Sequence, residues 1–462
     1  MLKPIRLAVI AALVLQGCAV QPDYKRPALD LPANWRESAP VPATPKDWWT
    51  VYGDAALDAL VAEALKSNQN LLAAISRVDE SRALLAQADS AFYPTVDGAV
   101  SRGRSLSSAA TGLLPPGVQR ERNNYRAVLN VSYEVDVWGR LRATSAAARA
   151  DLLASEAGRE TVRIALTADV ARAYFALRAL DAQVAATERA LRLREDGLRL
   201  QKKRADGGLI SELDYRQLEA EAAAARAQLP PLLRDREAQE AALAVLLGRG
   251  PKAIMEAAVA RPGAGPTALL APVVPSGLPS ELLLRRPDLV EAEQRLVAAN
   301  ARLAVARSAY FPSISLTGAL GSEAQALSSL FGGTAGIWSF VAAAALPIFA
   351  GGRLEAQTAA AAAREKQALA GYQGAIQNAF REVRTALAVQ QRARESFEAE
   401  GTRVDALTAA LRLARLRYDN GLASQLDVID AERNLLAAEI ARQDALRAQR
   451  AAIADLYRAL GG

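Results

Sequence analysis

Two aspartates, Asp427 and Asp430, are the residues whose type and spacing best fit a chemical role. They lie three apart, just after an Asn-Gly turn at 420–421, so both carboxylates are expected on one helical face. Repeated around the axis of an assembly, they would form rings of negative charge, and such rings favour cations in pores. Aspartate is also favoured at helix N-termini by the helix dipole, so a simple role as solvated helix-start residues stays open.

Enzymatic chemistry has little support in this sequence. The chain has no histidine, which removes the usual general base and metal ligand and excludes Ser-His and Cys-His arrangements. The Gly-x-Gly spacings at 248–250 and 263–265 are flanked by proline-rich sequence, so no phosphate-binding loop is predicted. The net charge of +6 comes from basic residues interleaved with acidic ones, which does not indicate a nucleic-acid partner. We predict no enzymatic activity, no nucleic-acid binding and no cofactor beyond a covalent lipid.

The predicted lipid site is Cys18, the single cysteine of the chain. Lys3 and Arg6 precede a short apolar stretch at 7–15, which suits a signal peptide over residues 1–17 rather than a membrane-spanning helix. The sequence at 15–18, Leu-Gln-Gly-Cys, resembles a bacterial lipobox. The alternative is a free cysteine in an ordinary signal peptide. Ala19 after the cysteine resembles a signal for the outer membrane.

The chain contains an internal duplication. The segment Arg-Ala-Asp-Gly-Gly-Leu at 204–209 recurs as Arg-Tyr-Asp-Asn-Gly-Leu at 417–422, and Gly-Arg-Leu at 139–141 recurs at 352–354, both 213 residues later. Such repetition indicates two structural units of the same kind. We predict a lipid-anchored extended segment over 18–56, a first repeat over 57–248, a Pro-rich linker over 249–287 and a second repeat over 288–462.

Each repeat is predicted to contain a helix, a β-hairpin, a very long helix and a return helix. The first helix of the first repeat is predicted over 57–91, where apolar residues recur at spacings of three and four. Apolar residues alternate with polar ones from Tyr125 to Val137, and a weaker strand precedes them near 95–105. The second repeat alternates over 313–320 and again over 338–346. The stretch 141–205 contains no proline, and apolar residues recur every seven positions from Val170 to Leu198, which indicates coiled-coil packing. Its return helix is expected at 211–247, kinked by Pro230-Pro231, and the second at 424–460.

Four strands per chain cannot close a membrane barrel, since the smallest known have about eight strands. Open edges in lipid would leave backbone groups without partners, so several chains must pool their strands. A trimer would supply twelve strands around an open lumen, whereas the eight strands of a dimer would be filled by side chains. The long helices would then form a tube that continues the barrel.

The sequence resembles the outer-membrane efflux factor family, whose members include TolC, OprM and the NodT-type lipoproteins. The resemblance is carried by Gly277 to Asp288 (GLPSELLLRRPD), Ala309 to Leu316 (AYFPSISL), Pro22-x-Tyr24-x-Arg26-Pro27 and Phe349 to Leu354 (FAGGRL). It implies a homotrimer with a twelve-strand outer-membrane barrel and a periplasmic α-helical barrel. It also implies a periplasmic membrane-fusion adaptor and an inner-membrane pump as partners, with the chain as a passive conduit.

The resemblance also implies roles for particular residues. It places the periplasmic aperture at Asp427 and Asp430, with Leu426 and Arg433 in its constriction and tethering contacts. Asp214 and Tyr418 match a pair that links neighbouring helices in the closed state. Ala423 departs from the family, since some members have a basic tethering residue there. The expected cargo is small molecules such as drugs; polypeptide secretion, or a lipid-anchored periplasmic spacer that never enters the membrane, are the alternatives.

Overall fold

The computed structural model describes residues 24, 26–27, 47–108, 110, 119–256, 259–261 and 286–462. The predicted signal peptide, Cys18 and most of the segments 18–56 and 249–287 lie outside these residues. The described chain forms two compact units. Its elements are α1 (Ala55–Ser67), α2 (Gln69–Ser90), β1 (Thr95–Leu106), β2 (Glu121–Val135), α3 (Arg140–Asp206), α4 (Glu212–Leu246), α5 (Pro251–Glu256), α6 (Pro287–Ser308), β3 (Ser313–Ala324), β4 (Gly336–Ala345), α7 (Arg353–Asp419) and α8 (Gln425–Leu460).

The first unit, described by residues 24, 26–27, 77–108, 110, 119–156 and 291–373, contains an antiparallel sheet in the order β1-β2-β3-β4. Directly opposed residues share a face, so the register divides the side chains into two sets. One set joins Gly98, Leu129, Leu320 and Trp338 in a single row, and we call this side the apolar face. The next row, on the other side, joins Asp97, Asn130, Ala319 and Ser339, and we call that side the polar face.

The second unit contains a cluster of buried apolar side chains. The middle of α3 packs there against the ends of α4 and α8 and the early part of α7. A short 3-10 helix at Trp48–Tyr52 completes it: the Trp48 ring stacks on Tyr457 at 5.1 Å, and the Tyr52 hydroxyl donates to the Arg450 carbonyl at 2.7 Å. The extended conformation predicted for 18–56 is therefore wrong over 48–52.

The end of the GLPSELLLRRPD motif has a structural role in this unit. The buried Arg286 guanidinium donates to the Asp288 carboxylate, to Glu382 at 2.8 Å and to the Ala459 carbonyl at 2.9 Å. Burial tends to lower the pKa of this group, but the hydrogen bonds that it donates to its two carboxylate partners, and their negative charges, more than offset this and raise it. Arg286 therefore ties the start of α6 to α7 and to the end of α8 as a permanent cation.

The single helix predicted over 57–91 is wrong, because the chain breaks at Asn68 into α1 and α2. Asn68 has an extended backbone, with φ −65° and ψ 127°. Its side-chain oxygen accepts from the amides of Asn70 and Leu71, and its Nδ2 donates to the Leu246 carbonyl at 2.8 Å. These bonds replace the helical ones that the break removes, since a buried helix end needs partners for its free amides.

The proline pair does not end the return helix of the first repeat, because α4 runs through Pro230 and Pro231. Each proline deprives a carbonyl four residues earlier of its donor, and these carbonyls belong to the exposed residues Arg226 and Ala227. Water can satisfy them, so the helix continues. The strand bounds also differ from the prediction by a few residues: β2 ends at Val135, where the Val137 amide bonds back to the Val135 carbonyl at 2.9 Å.

Candidate functional site

The turns between α3 and α4 and between α7 and α8 are built alike in the two repeats. Gly208 and Gly421 adopt positive φ angles of 71° and 72°, which a residue with a Cβ rarely adopts. Ser211 and Ser424 then cap the return helices α4 and α8 through their hydroxyls. The duplication therefore extends to the hydrogen bonds of the turns.

Asp427 is committed to the start of α8. Its amide donates to the Ser424 hydroxyl at 3.3 Å, while its carboxylate accepts from the Ser424 amide at 2.7 Å and from the hydroxyl at 2.8 Å, a complete capping box. The Ser424 side chain, and then the Ser424 backbone, lower the pKa of Asp427 below its ordinary value. The carboxylate is therefore a solvent-exposed anion at neutral pH whose hydrogen bonds hold the helix end.

Asp214 is the equivalent of Asp427 in the first repeat and is held in a similar way. The Ser211 hydroxyl donates to its carboxylate at 2.7 Å and accepts from its amide at 3.1 Å. Tyr418 lies elsewhere, with its hydroxyl 3.4 Å from Nε2 of Gln201, which donates to it. Among the described residues, Asp214 and Tyr418 make no hydrogen bond with each other, so their predicted link would have to form between chains.

Asp430 and Arg433 belong to a chain of charges that joins three helices of the second unit. Arg433 on α8 lies 3.6 Å from the Asp430 carboxylate and 3.8 Å from Glu221 on α4. Glu221 also lies 3.7 Å from Arg194 on α3, and Arg194 donates to the Glu221 carbonyl at 3.3 Å. Asp430 and Arg433 are more than half exposed, whereas Arg194 is only 8% exposed. Glu221 is therefore the point at which the tip of α8 is held to the first repeat.

Leu426 differs from its neighbours on α8 in being half exposed at 48%, whereas Val428 and Ile429 are buried. Arg415 of α7 pairs with Glu432 of α8 at 2.7 Å, which fixes the two helices of this pair to each other near the turn. Leu426 and Asp430 are therefore exposed near the start of α8, beside the buried Val428 and Ile429.

Sequence reasoning missed Glu221, Arg194 and Gln201. A comparison of the two repeats would have found the first, since Glu221 stands where the second repeat has Asn434, and Arg433 stands where the first has Ala220. When each repeat has a charged residue where the other repeat has none, and the two charges are opposite, a contact between the repeats is indicated. Across the part of the chain that the structure describes, no three acidic or cysteine side chains gather as a metal site.

The sequence matches the family model described as outer membrane efflux protein over residues 60–249 and again over 278–462. The chain belongs to the outer membrane efflux protein family. It is 36% identical to the outer membrane protein OprJ of Pseudomonas aeruginosa, covering 98% of this chain and 95% of OprJ. It is 34% identical to the cation efflux system protein CusC of Escherichia coli K12, covering 99% and 98% of the two chains.

The fold agrees with solved structures of this family. The Campylobacter jejuni CmeC outer membrane channel matches with a TM-score of 0.87 and 26% identity, covering 96% of this chain and 95% of CmeC. The two matched segments of the outer membrane efflux protein model confirm the duplication, and the helical fold with four strands is confirmed as well. The chain is an outer-membrane efflux channel protein. None of the described helices is long and apolar enough to cross a membrane.

Proposed function

We propose that three copies of this chain form a passive exit duct through the outer membrane. In this proposal the twelve pooled strands form the membrane barrel and the long helices form a periplasmic tunnel. A periplasmic membrane-fusion adaptor and an inner-membrane pump deliver the cargo, and the pump supplies the energy. The cargo class is small molecules such as drugs, and a lipid on Cys18 anchors each chain.

The observation that carries the proposal is the four-stranded sheet, whose apolar face is exposed to an unusual degree. Large apolar side chains on this face remain open, including Val100, Leu129, Leu320, Trp338 at 79% and Phe340 at 66%. A soluble protein would cover so large an apolar surface, because leaving it in water forgoes the free energy of its burial. Lipid acyl chains are the environment that these side chains fit.

The edges of the same sheet require partner chains. β1 and β4 are its outer strands, and among the described residues neither pairs with a further strand. Backbone amides and carbonyls without partners cannot enter the hydrocarbon region, since each costs several kcal/mol there. The edges of one sheet must therefore pair with those of other copies, and a closed ring of sheets satisfies every edge.

The height of the apolar face also fits a membrane. From Tyr125 to Val135 the face extends over ten residue-to-residue steps of β2, about 34 Å along the strand and about 26 Å along the membrane normal at a tilt of about 40°. Outer-membrane barrels have an apolar band about 25 Å tall with aromatic residues at its borders. Tyr125 and Tyr133 lie on this face near the two ends of the band.

The turns of the second unit are proposed as the periplasmic aperture. Leu426, Asp427, Asp430 and Arg433 would line or tether it, and Asp214 with Tyr418 would brace neighbouring helices. What supports this is their common position at the helix tips and the two exposed side chains Leu426 and Asp430. Three copies would place three Asp430 carboxylates around one axis, a ring that favours cations.

The experiment is to extract the full chain from outer membranes in detergent, measure its mass, and reconstitute it in planar bilayers. The expected result is a heat-sensitive particle that contains three mature chains, each 49.0 kDa less the predicted signal peptide, and that conducts ions. Palmitate labelling of the wild type but not of Cys18→Ser would support the anchor. A monomer released with periplasmic lipoproteins, with no conductance, would instead identify a periplasmic spacer and end the proposal.

A further inference from the structure

The turn end of the sheet has a cluster of arginines whose placement differs between the two faces. All connections to the helices leave the sheet at one end, so the β1–β2 and β3–β4 connections lie at the other. Near that end, Arg102 lies opposite Tyr125 and Arg104 lies opposite Asn123, both on the apolar face. Arg122 and Arg126 lie opposite Ser105 and Ser101 on the polar face. The two arginines of the apolar face therefore lie directly beyond the apolar band.

We propose that Arg102, with Arg104 beside it, binds the phosphate groups of anionic glycolipids in the outer leaflet of the membrane. This inference rests on the proposed function, because the apolar face must meet lipid for these side chains to reach its headgroups. With the helices on the periplasmic side, the turn end of the sheet lies in the outer leaflet. The site is a membrane-lipid surface, separate from the conduit itself.

Arg102 is exposed and already oriented. Its guanidinium carbon lies 5.5 Å from the centre of the Tyr125 ring, a cation–π contact at the border of the apolar band. A cation–π contact does not use up the guanidinium N–H groups, and their fork matches a phosphate in a bidentate manner. Among the described residues, no carboxylate pairs with Arg102, so its charge is available to a ligand.

Arg104 is a second donor that can be recruited. Its Nε lies 2.5 Å from the Glu121 carboxylate, and both side chains are more than half exposed. Exposed ion pairs contribute little to stability, about 0–1 kcal/mol. A phosphate can therefore replace Glu121 as the partner of Arg104 at a small cost in free energy. Arg102 and Arg104 are two residues apart on one strand, about 7 Å along it, which suits two phosphates or one shared phosphate.

The other end of the apolar face has a different character. Its last rows hold Tyr133, Leu316 and Ala342, and then Val135, Ile314 and Ala344, and none of these residues is charged. Phe349 and Ile348, which follow β4, are also apolar and exposed. The positive charge of the face is therefore confined to the turn end, which matches a membrane whose outer leaflet has more phosphate than its inner leaflet.

The test titrates the detergent-solubilised full chain with lipid A bearing two phosphates and counts bound lipids by native mass spectrometry. Arg102→Gln with Arg104→Gln should weaken binding at least about tenfold, since each charge-assisted hydrogen bond contributes more than a neutral one. Arg102→Gln alone should cause most of this loss. Arg122→Gln removes another exposed arginine of the same hairpin, from the polar face, and should bind as the wild type does.

Further experiments distinguish lipid phosphate from free phosphate as the ligand, and distinguish failure of the lipid site from failure of the proposed channel. Dephosphorylated lipid A should bind weakly to every variant, and inorganic phosphate should not displace the lipid at equal concentration. Equal loss in Arg122→Gln and Arg102→Gln, or unchanged binding in the double variant, would overturn the inference. All variants should conduct in planar bilayers; a wild type that neither trimerises nor conducts would instead refute the proposed channel.

Discussion

At the residue scale, the two aspartates that stand out in the sequence turn out to have different roles. Asp427 is bonded to Ser424 within its own turn, whereas Asp430 is open to solvent and lies 3.6 Å from Arg433. Both the helix-start role and the aperture role that the spacing suggested are thus available, one for each residue. A test of the aperture should therefore change Asp430 and leave Asp427 intact.

The first prediction concerns the pH dependence of the α8 cap. Because the pKa of Asp427 is lowered in the folded chain, its cap contributes stability above the ordinary value of 3.8 and loses it as pH falls through the folded value. Hydrogen exchange at the Asp427 amide, normalised to unstructured peptide rates, should accelerate below about pH 4. In Ser424→Ala it should be fast already at neutral pH. Slow exchange in this variant would show that the capping box does not hold the turn; Ser211→Ala, in the other repeat, is the control and should leave this amide unchanged.

The second prediction concerns the aperture. Asp430→Asn should reduce the cation preference of the reconstituted channel, because it removes one ring of carboxylates and keeps the side-chain volume. Glu221→Gln should raise the conductance at rest, because Arg433 loses its tie to the first repeat. The readout is the reversal potential in a salt gradient for the first variant and the resting conductance for the second.

Measurements of stability can distinguish the ion pair of Glu221 with Arg194 from its ion pair with Arg433. Glu221→Gln should cost about 1–3 kcal/mol, because it leaves the mostly buried Arg194 without a carboxylate. Arg433→Gln should cost less than about 1 kcal/mol, because Arg433 is 59% exposed. If both variants melt at the temperature of the wild type and conduct as it does, Glu221 has no tethering role.

At the scale of the elements, features that depend on a local pattern can be predicted from the sequence, whereas features that depend on contacts between distant residues cannot. The alternation along β2 and the glycines after α3 and α7 act over a few residues, so the strand and both turns were predicted. The break at Asn68 depends on the Leu246 carbonyl, 178 residues away, and no local pattern contains that partner. The Arg433–Glu221 pair went unpredicted for the same reason.

The third prediction concerns the packing of α4 against α1. Gly248 has a φ of 72°, and a Cβ placed there would lie 2.0 Å from the Ser67 carbonyl oxygen, which belongs to the backbone and cannot easily move. Gly248→Ala should therefore lower the free energy of unfolding by at least about 2 kcal/mol. Thermal melts followed by circular dichroism would measure the change.

Gly250 is the matched control for this prediction. It is two residues away, and a Cβ added there meets nothing within 4 Å. Gly250→Ala should melt close to the wild type. Equal melting temperatures for the two variants would contradict the close approach of the α1–α2 junction to the end of α4.

At the scale of the whole molecule, the fold class and the family could be read from the sequence because the duplication and its motifs repeat at a fixed spacing. The strands' need for partners also followed from their number alone. The placement of Tyr24 and Arg26 could not be predicted in this way. Arg26 donates a hydrogen bond to Glu293 on α6 at 2.7 Å, which gives the Pro-x-Tyr-x-Arg-Pro motif a structural role in the first unit. That bond spans 267 residues, and periodicity does not reveal it.

The fourth prediction concerns the two faces of the sheet. Phe340→Lys places a charge near the middle of the apolar face, where a lysine in lipid costs about 2–4 kcal/mol. Its neighbour Ser339 lies on the polar face of the same strand, so Ser339→Lys is the matched control. The yield of heat-sensitive oligomer in outer membranes should fall for Phe340→Lys alone. Equal yields would mean that the apolar face does not meet lipid.

The open edges of β1 and β4 have a consequence for inheritance. If each duct assembles from three chains of a common pool, a chain whose β4 cannot pair prevents closure of every ring of sheets that it joins. Cells that make equal amounts of normal and defective chain would then keep about one intact duct in eight. A damaged copy of the gene would therefore be dominant over a healthy one. The fraction of ducts that stay intact would report how many chains form a ring.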